Sequence, residues 1–391
     1  MVNTKRMDAR KNITCLIGTR AQLIKMAPVI LEIERRKLPL TLVFSGQHKE
    51  TMEQLSADFG IRTPHTVLYE DAEITGIVQM GVWFVRCLIK VLRRGEEFIP
   101  KSGVILVHGD TFSTLLGAVL GKIRGLGVIH IEAGLRSYNP FHPFPEELTR
   151  LAVFRLSDVS FCPGEWAFSN MEKYRTHRVD MGHNTLIDAM GLALACPRRL
   201  DTNSLKDGYG ICSIHRFENI FFKQRLNKIV ALIEIAACHH PILFVLHPAT
   251  RRKLEQYGLA SRLEGNVNIQ LLARMPYVEF VQLMAGARFV VTDGGGNQEE
   301  LSYLNKPTLL MRRTTERREG VGSTVTVCDY SEEVLERFLM GLDQYTSSAF
   351  TPPSTSPTHT IVDYLEGMAR APHRVPGSSP KKADWRGVGR N

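Results

Sequence analysis

Runs of strand length alternate with helical patterns along almost the whole chain, and that alternation restricts it to βαβ units built on parallel sheets. "ITCLIGT" reads as a strand, "AQLIKMAPVILEIERRK" as a helix and "LTLVFSG" as the next strand. "GVILVHGD", "FSTLLGAVLGKIRG" and "GVIHIEAG" repeat the order, and "DVSFCPG" and "HRVDMGH" extend the same sheet. A second series starts near Gly208 with "YGICSIH", "QRLNKIVALIEIAAC" and "PILFVLHP", and continues to "RFVVTDGGG" and "KPTLLMR". Between the series, residues 186–207 hold the helical "TLIDAMGLALA" and then the polar "CPRRLDTNSLKDG", where a linker is expected. With 391 residues the chain exceeds one ordinary core. The expected fold is therefore α/β, with two open parallel sheets over 12–190 and 191–358 facing each other across a cleft. Ligands of such sheets bind where the carboxyl ends of the strands meet.

Several function classes are disfavoured at once. No apolar run reaches transmembrane length, and the first twenty residues lack the apolar core of a signal peptide, so neither membrane insertion nor secretion is expected. The seven cysteines are scattered, odd in number and mostly set in apolar runs, without a CxxC pair or a Cys/His cluster. They read as reduced core cysteines of a cytoplasmic protein, with no metal. The net charge of +9 invites a nucleic-acid partner, yet most of it lies at the ends. Residues 1–11 carry Lys5, Arg6, Arg10 and Lys11 against Asp8; residues 372–391 carry Arg374, Lys381, Lys382, Arg386 and Arg390 against Asp384. Flexible, solvated basic ends are expected there, and no nucleic acid.

The chemistry concentrates at strand ends. "GTRAQ" places Arg20 where a helix opens, a position that favours anions, although a plain strand–helix turn with a surface arginine accounts for it equally well. "TDGGGNQEE" is more telling: three consecutive glycines between a strand and a helix let backbone N–H groups approach a diphosphate. Glu299 and Glu300, expected in the first turn of that helix, would accept hydrogen bonds from ribose hydroxyls; the competing account is acids that merely complement the helix dipole. "LVHGDT" delivers His108 and Asp110, "IEAGLR" delivers Glu132, and "SIHRFEN" delivers His215, Arg216 and Glu218. A single histidine is ordinarily structural, but four strand ends each aim an ionisable group at one cleft. Glu146 and Glu147 follow Pro145, where another helix is expected to begin, and "MRRTTERRE" adds cations after a further strand.

Taken in order, "GTR…IKMAP", "GQH", "VHGDT", "EAGLR", "PFPEE…R", "HRFEN", "TDGGGNQEE", "NKP" and "MRRTTERRE" resemble the non-hydrolysing UDP-N-acetylglucosamine 2-epimerases, from about Ile13 to Ala371. The resemblance implies two Rossmann-like domains in a glycosyltransferase-B-like arrangement, with "TIVDYLEGMAR" (helix expected over 359–371) crossing back to the first domain. It implies a UDP-sugar substrate, a homodimer, and interconversion of UDP-GlcNAc and UDP-ManNAc for surface polysaccharide precursors. The family's route eliminates UDP to a 2-acetamidoglucal and re-adds it, needing neither metal nor redox cofactor. Carried over by position, Asp110, Glu132, Glu146 and His215 form the catalytic set. Arg20, Lys25, Arg136, His247, Gly294, Gly295, Gly296, Glu299 and Arg312 bind substrate and UDP, and Gln47 and His48 match an activator-binding neighbourhood.

The chain also departs from the family's pattern. Ala21-Gln22 stands where Pro-Glu is usual, which removes a carboxylate expected near the substrate. Gly294 replaces a serine, Arg313 an aspartate and Glu50 a glutamine, and "LYEDAEIT" lacks the arginine expected of an allosteric site. Rival readings are a hydrolysing 2-epimerase that releases free ManNAc, an epimerase of a 2,3-diacetamido sugar nucleotide, a glycosyltransferase of the same architecture, and a non-catalytic nucleotide-sugar sensor.

Overall fold

The computed structural model describes residues 9, 11–46, 50–69, 77–140, 144–197, 208–315, 317–345 and 350–370. Among these, the first sheet comprises β1 (Ile13–Ile17), β2 (Leu40–Phe44), β3 (His65–Val67), β4 (Val104–His108), β5 (Gly127–Ile131), β6 (Val159–Cys162) and β7 (His177–Asp180). The second comprises β8 (Gly210–Ser213), β9 (Ile242–Leu246), β10 (Ile269–Ala273), β11 (Phe289–Thr292), β12 (Thr308–Leu310) and β13 (Val325–Val327). Their orders are β3-β2-β1-β4-β5-β6-β7 and β10-β9-β8-β11-β12-β13, parallel throughout. Every residue of β1, β4, β5 and β9 is buried, as a sheet covered on both faces requires.

The crossovers of the first sheet are α1 (Arg20–Arg35), α2 (Glu50–Phe59), α3 (Ile77–Phe98), α4 (Phe112–Arg124), α5 (Glu146–Leu156) and α6 (Glu165–Asn170), and α7 (Leu186–Ala195) leads from it to the second sheet. The second unit carries α8 (Phe217–Ile220), α9 (Lys223–His239), α10 (Pro248–Gln256), α11 (Ala260–Glu264), α12 (Tyr277–Gly286), α13 (Gly295–Tyr303) and α14 (Glu332–Met340), and α15 (Pro357–Arg370) is the last helix among the described residues. Strand order reverses between β1 and β4 in one sheet and between β8 and β11 in the other. A crevice opens beyond the strands at each reversal. The sequence had placed its ionisable groups at these same strand ends.

The expected linker is less loose than its composition suggests. Leu186, Ile187, Ala189, Met190 and Ala193 of α7 are buried, and Gln282 of α12 donates to the carbonyls of Ala193 (2.9 Å) and Cys196 (2.8 Å). One apolar cluster runs from Ile17 and Leu106 through Met190 to Tyr209, Val281 and Val290, so the two sheets share a core at this seam. Residues 198–207 lie outside the described residues. Helix α15 begins at Pro357 rather than 359 and packs on the first unit: Arg36 pairs with Asp363 (2.6 Å) and Glu366 (2.7 Å), and Tyr364 meets Phe161 edge-on at 5.5 Å. The basic ends 1–8 and 371–391 lie outside the described residues. No helix among the described residues is long and apolar enough to cross a membrane.

Candidate active site

The end of β1 is sterically fixed. A Cβ at Gly18 would come within 1.8 Å of Ser113 Oγ and 2.8 Å of Ser45 Oγ, so no other residue lets the chain turn here. Thr19 then caps α1 in a capping box with Gln22. Gln22 is buried; its Oε1 accepts from the N–H groups of Gly18 (2.9 Å) and Thr19 (3.1 Å), and its Nε2 donates to His108 O (2.6 Å) and Thr114 Oγ1 (2.9 Å). The amide that stands where the resemblance expected a carboxylate is spent on backbone groups and on Thr114. The Gln22 side chain ties β1 to β4, and an ionised glutamate, which has no donor, would face the His108 carbonyl unfavourably.

One turn further on, Lys25 reaches the end of β5. Its Nζ lies 3.0 and 2.8 Å from the two carboxylate oxygens of Glu132, and His108 Nε2 lies 3.0 Å from Oε2. Glu132 adopts φ +66°, a conformation that costs a non-glycine residue about 1–3 kcal/mol and persists where function requires it. Burial opposes its charge, but Lys25 and His108 prevail and hold the carboxyl well below the usual range. Burial likewise opposes the Lys25 charge, and Glu132 and Glu299 overcome it, raising the ammonium. Glu132 is thus an ionised carboxylate shielded from water.

The mouth of α5 carries the second acidic group. Glu146 is its first residue, and its Oε2 is enclosed with no hydrogen-bond partner among the described residues. Such an orphan acceptor is costly in a finished structure and suits a group that awaits a ligand. Glu147, to which the resemblance gave no role, is fully buried and structural. It accepts from Arg136 Nε (2.5 Å), Arg150 Nη1 (3.2 Å) and the Ser137 N–H (3.0 Å). Arg150 extends the chain to Asp110 Oδ2 at 2.5 Å. Arg136 is therefore held by Glu147, and Asp110 is held through Arg150.

On the opposing sheet, Asp293 is the hidden organiser. Wholly buried at the end of β11, it accepts from the N–H groups of His215 (3.0 Å) and Arg216 (2.8 Å) and from Asn219 Nδ2 (2.9 Å). His215 Nδ1 lies 3.3 Å from Asp293 Oδ1, which favours a proton on Nδ1 and leaves Nε2 as the ring's acceptor. The glycine turn follows. A Cβ at Gly294 would approach Asn297 Oδ1 to 2.5 Å and His215 Cε1 to 2.9 Å, so a serine here requires both to move. Helix α13 starts at Gly295, which places Glu299 and Glu300 in its second turn rather than the expected first.

Between the two units lies a cavity of about 300 Å³. Ile24, Val245, Met275 and Phe280 supply an apolar wall, while Arg20, His215, His247, Arg274 and Glu300 supply polar groups, and Gly296 lines the same space. Burial, reinforced by Glu299, raises the Glu300 carboxyl to about 7. Burial and the nearby Arg274 lower His247, which favours a neutral imidazole. Glu299 does not line the cavity: its carboxylate accepts from Arg317 Nη1 at 2.7 Å and lies 3.6 Å from Lys25 Nζ. Arg312 does not line it either, and Arg317 of the same loop is the cation that reaches toward the site. Sequence reasoning missed Asp293, Arg274 and the separate roles of Glu147, Glu300 and Arg317. Arg317, Glu147 and Glu300 stood inside motifs already noticed, but nothing in their spacing showed which way they point. Gln47 and His48 lie outside the described residues, as does most of "LYEDAEIT".

A family model described as UDP-N-acetylglucosamine 2-epimerase matches residues 31–357. The UDP-N-acetylglucosamine 2-epimerase of Methanocaldococcus jannaschii is 30% identical over 339 residues, covering 83% of this chain and 90% of that protein. The enzyme of the same name from Neisseria meningitidis is 31% identical over 346 residues, with 83% and 89% covered. Among solved structures, the M. jannaschii enzyme in complex with UDP-GlcNAc and UDP superposes with a TM-score of 0.74 at 28% identity, covering 91% of this chain and 99% of that one. The N. meningitidis enzyme bound to UDP-GlcNAc gives 0.74 at 28% identity, covering 91% and 100%.

Proposed function

Since the chain belongs to the UDP-N-acetylglucosamine 2-epimerase family and is an isomerase, we propose that it interconverts UDP-GlcNAc and UDP-ManNAc by eliminating and re-adding UDP. In this reading it acts in the cytoplasm and supplies surface polysaccharide precursors. The observation that carries the mechanism is the division of the cleft. A cavity with an apolar wall and a glycine turn lies on one side, and the ionised Glu132 stands with Lys25 on the other. The uridine occupies the cavity, with Glu300, rather than Glu299, on the ribose. The N–H groups at Gly295 and Gly296 and the Arg20 guanidinium face the diphosphate, while the Gly294 N–H donates to Thr292 Oγ1 at 3.2 Å.

The C2–H bond has no adjacent carbonyl and is barely acidic, so cleavage at C1 runs ahead. The C1–O bond breaks with its electron pair leaving on UDP, and positive charge grows at C1 and the ring oxygen. The Glu132 carboxylate opposes that charge, and the cations and helix N-terminus stabilise the departing diphosphate. The C2–H electrons then form the C1=C2 bond of a 2-acetamidoglucal, and the proton passes to an enzyme base. Asp110, Glu146 and His215 are the groups available to take and return it. Protonation of the opposite face of C2, with UDP rejoining C1, completes the inversion.

Incubation with UDP-GlcNAc in D₂O tests this route. Deuterium is expected at C2 of UDP-ManNAc, seen by NMR as loss of the H1–H2 coupling at H1, with the coupling to phosphorus retained. Inversion without deuterium, or release of free ManNAc with UDP, would overturn it.

A homodimer belongs to the same proposal, supported by α3. Val82, Val85, Ile89 and Leu92 are exposed by 47%, 53%, 42% and 62%, at the spacing of a coiled-coil seam. A second copy related by a two-fold axis and running antiparallel sets Val82 against Leu92 and Val85 against Ile89, so the stripe is complementary to itself. Sedimentation of the wild type is expected to give a dimer, and the double variant Val85→Asp/Ile89→Asp a folded monomer. A dimeric double variant would place the interface elsewhere.

A further inference from the structure

We propose that Glu299 is a positioning residue, which touches no nucleotide but holds Lys25 and Arg317 in place at the sugar end of the cleft. The proposal rests on the reading that Lys25 and Glu132 work at the sugar. Adjacent residues on a helix point about 100° apart, so the neighbouring acids of α13 serve different surroundings. Glu300 lines the cavity, whereas Glu299, 2% exposed, meets Arg317 at 2.7 Å and Lys25 at 3.6 Å. A buried carboxylate must be compensated, and here both compensating charges come from outside its own helix. Glu132, Lys25, Glu299 and Arg317 form a row of alternating sign, which Glu319 continues at 3.9 Å from Arg317.

That row crosses the cleft. Lys25 and Glu132 belong to the first sheet's unit, and Glu299 and Arg317 to the second. A lysine has a four-carbon stem with many rotamers, and one carboxylate contact leaves several of them open. A second carboxylate beyond the first selects the extended one that keeps Nζ between them. The Lys25–Glu299 contact exists only when the two units approach this closely, so Glu299 links closure of the cleft to the orientation of Lys25 beside Glu132.

The test is Glu299→Gln, which keeps the shape and removes the charge, combined with Lys25→Met in a double-mutant cycle. Alone, Glu299→Gln should lower kcat for UDP-GlcNAc roughly 10- to 100-fold, as misplaced groups do. UDP affinity measured by calorimetry should stay nearly unchanged, because Glu300 rather than Glu299 lines the cavity. In the Lys25→Met background the same substitution should have little further effect on kcat. The alkaline limb of the kcat profile should also move to lower pH in Glu299→Gln. Lys25 faces Glu132 after β5, Glu299 on α13 and Arg317 in the loop after β12, with His108 of β4 beyond Glu132, and Glu299 is one of the two acids that raise its ammonium. If Glu299→Gln does not fold, Glu299→Asp, which keeps the charge and shortens the reach, is put through the same cycle. Effects that multiply independently, or UDP affinity lost in step with kcat, would overturn the positioning role alone. A Lys25→Met variant with wild-type kcat would remove the reading of the sugar end and the proposal with it.

Discussion

Glu132→Gln is expected to lower kcat by roughly 10²- to 10⁴-fold, the range supplied by a positioned catalytic carboxylate, while UDP binds almost as before. Glu132 does not line the cavity of about 300 Å³ between the two units. Its carboxylate lies 2.8–3.0 Å from Lys25 and His108, and these contacts hold it well below the usual carboxylate range against burial. An amide keeps the volume but presents an N–H₂ group to Lys25 or His108 and supplies no negative charge to a cationic C1. The protein should fold, since Lys25 retains Glu299 at 3.6 Å. Progress curves with UDP-GlcNAc and calorimetry with UDP separate the two effects. Parallel losses of turnover and UDP affinity would show that Glu132 acts on the nucleotide instead.

Glu147→Ala should be the most destabilising single change near the site, by about 3–5 kcal/mol, the usual penalty for breaking a buried ion pair from one side. Its carboxylate is wholly buried and joins Arg136, Arg150 and the Ser137 N–H, and Arg150 passes the constraint to Asp110. Removing it leaves two arginines short of a counter-charge and frees Asp110 to move, so activity should fall with stability. Urea unfolding measures the first effect and steady-state turnover the second. A variant as stable as the wild type would show that the arginines find water or other acceptors. A pH dependence follows as well. Burial raises the Glu147 carboxyl, but the Ser137 N–H, Arg136 and Arg150 outweigh it and lower the pKa. A carboxyl lowered by folding adds stability above its unfolded pKa and loses that contribution as pH falls through its folded value. Stability of the wild type should therefore fall more steeply in acid than that of Glu147→Ala.

The sequence alone determined the architecture. Strands buried on both faces read as continuous apolar runs, helices between them keep their own period, and the two series predict two parallel sheets. It also placed the chemistry at the strand ends, because Gly18, Asp110, Glu132, His215 and the three glycines from Gly294 each close an apolar run. The ordered motifs carried the family. Tertiary structure decided which side chain does what. Glu146 and Glu147 are neighbours at one helix start, yet one is an orphan and the other a buried anchor; Glu299 and Glu300 divide between a cation pair and a cavity. Gln22 looked like a lost substrate carboxylate and proved to be a clamp between strands. The physical reason is common to all three. Periodicity reports which faces of an element are covered, but where every face is covered it carries no phase. The partners that settle each orientation lie far along the chain, as Glu132 does from Lys25 at a separation of 107 residues, and only folding brings them within reach.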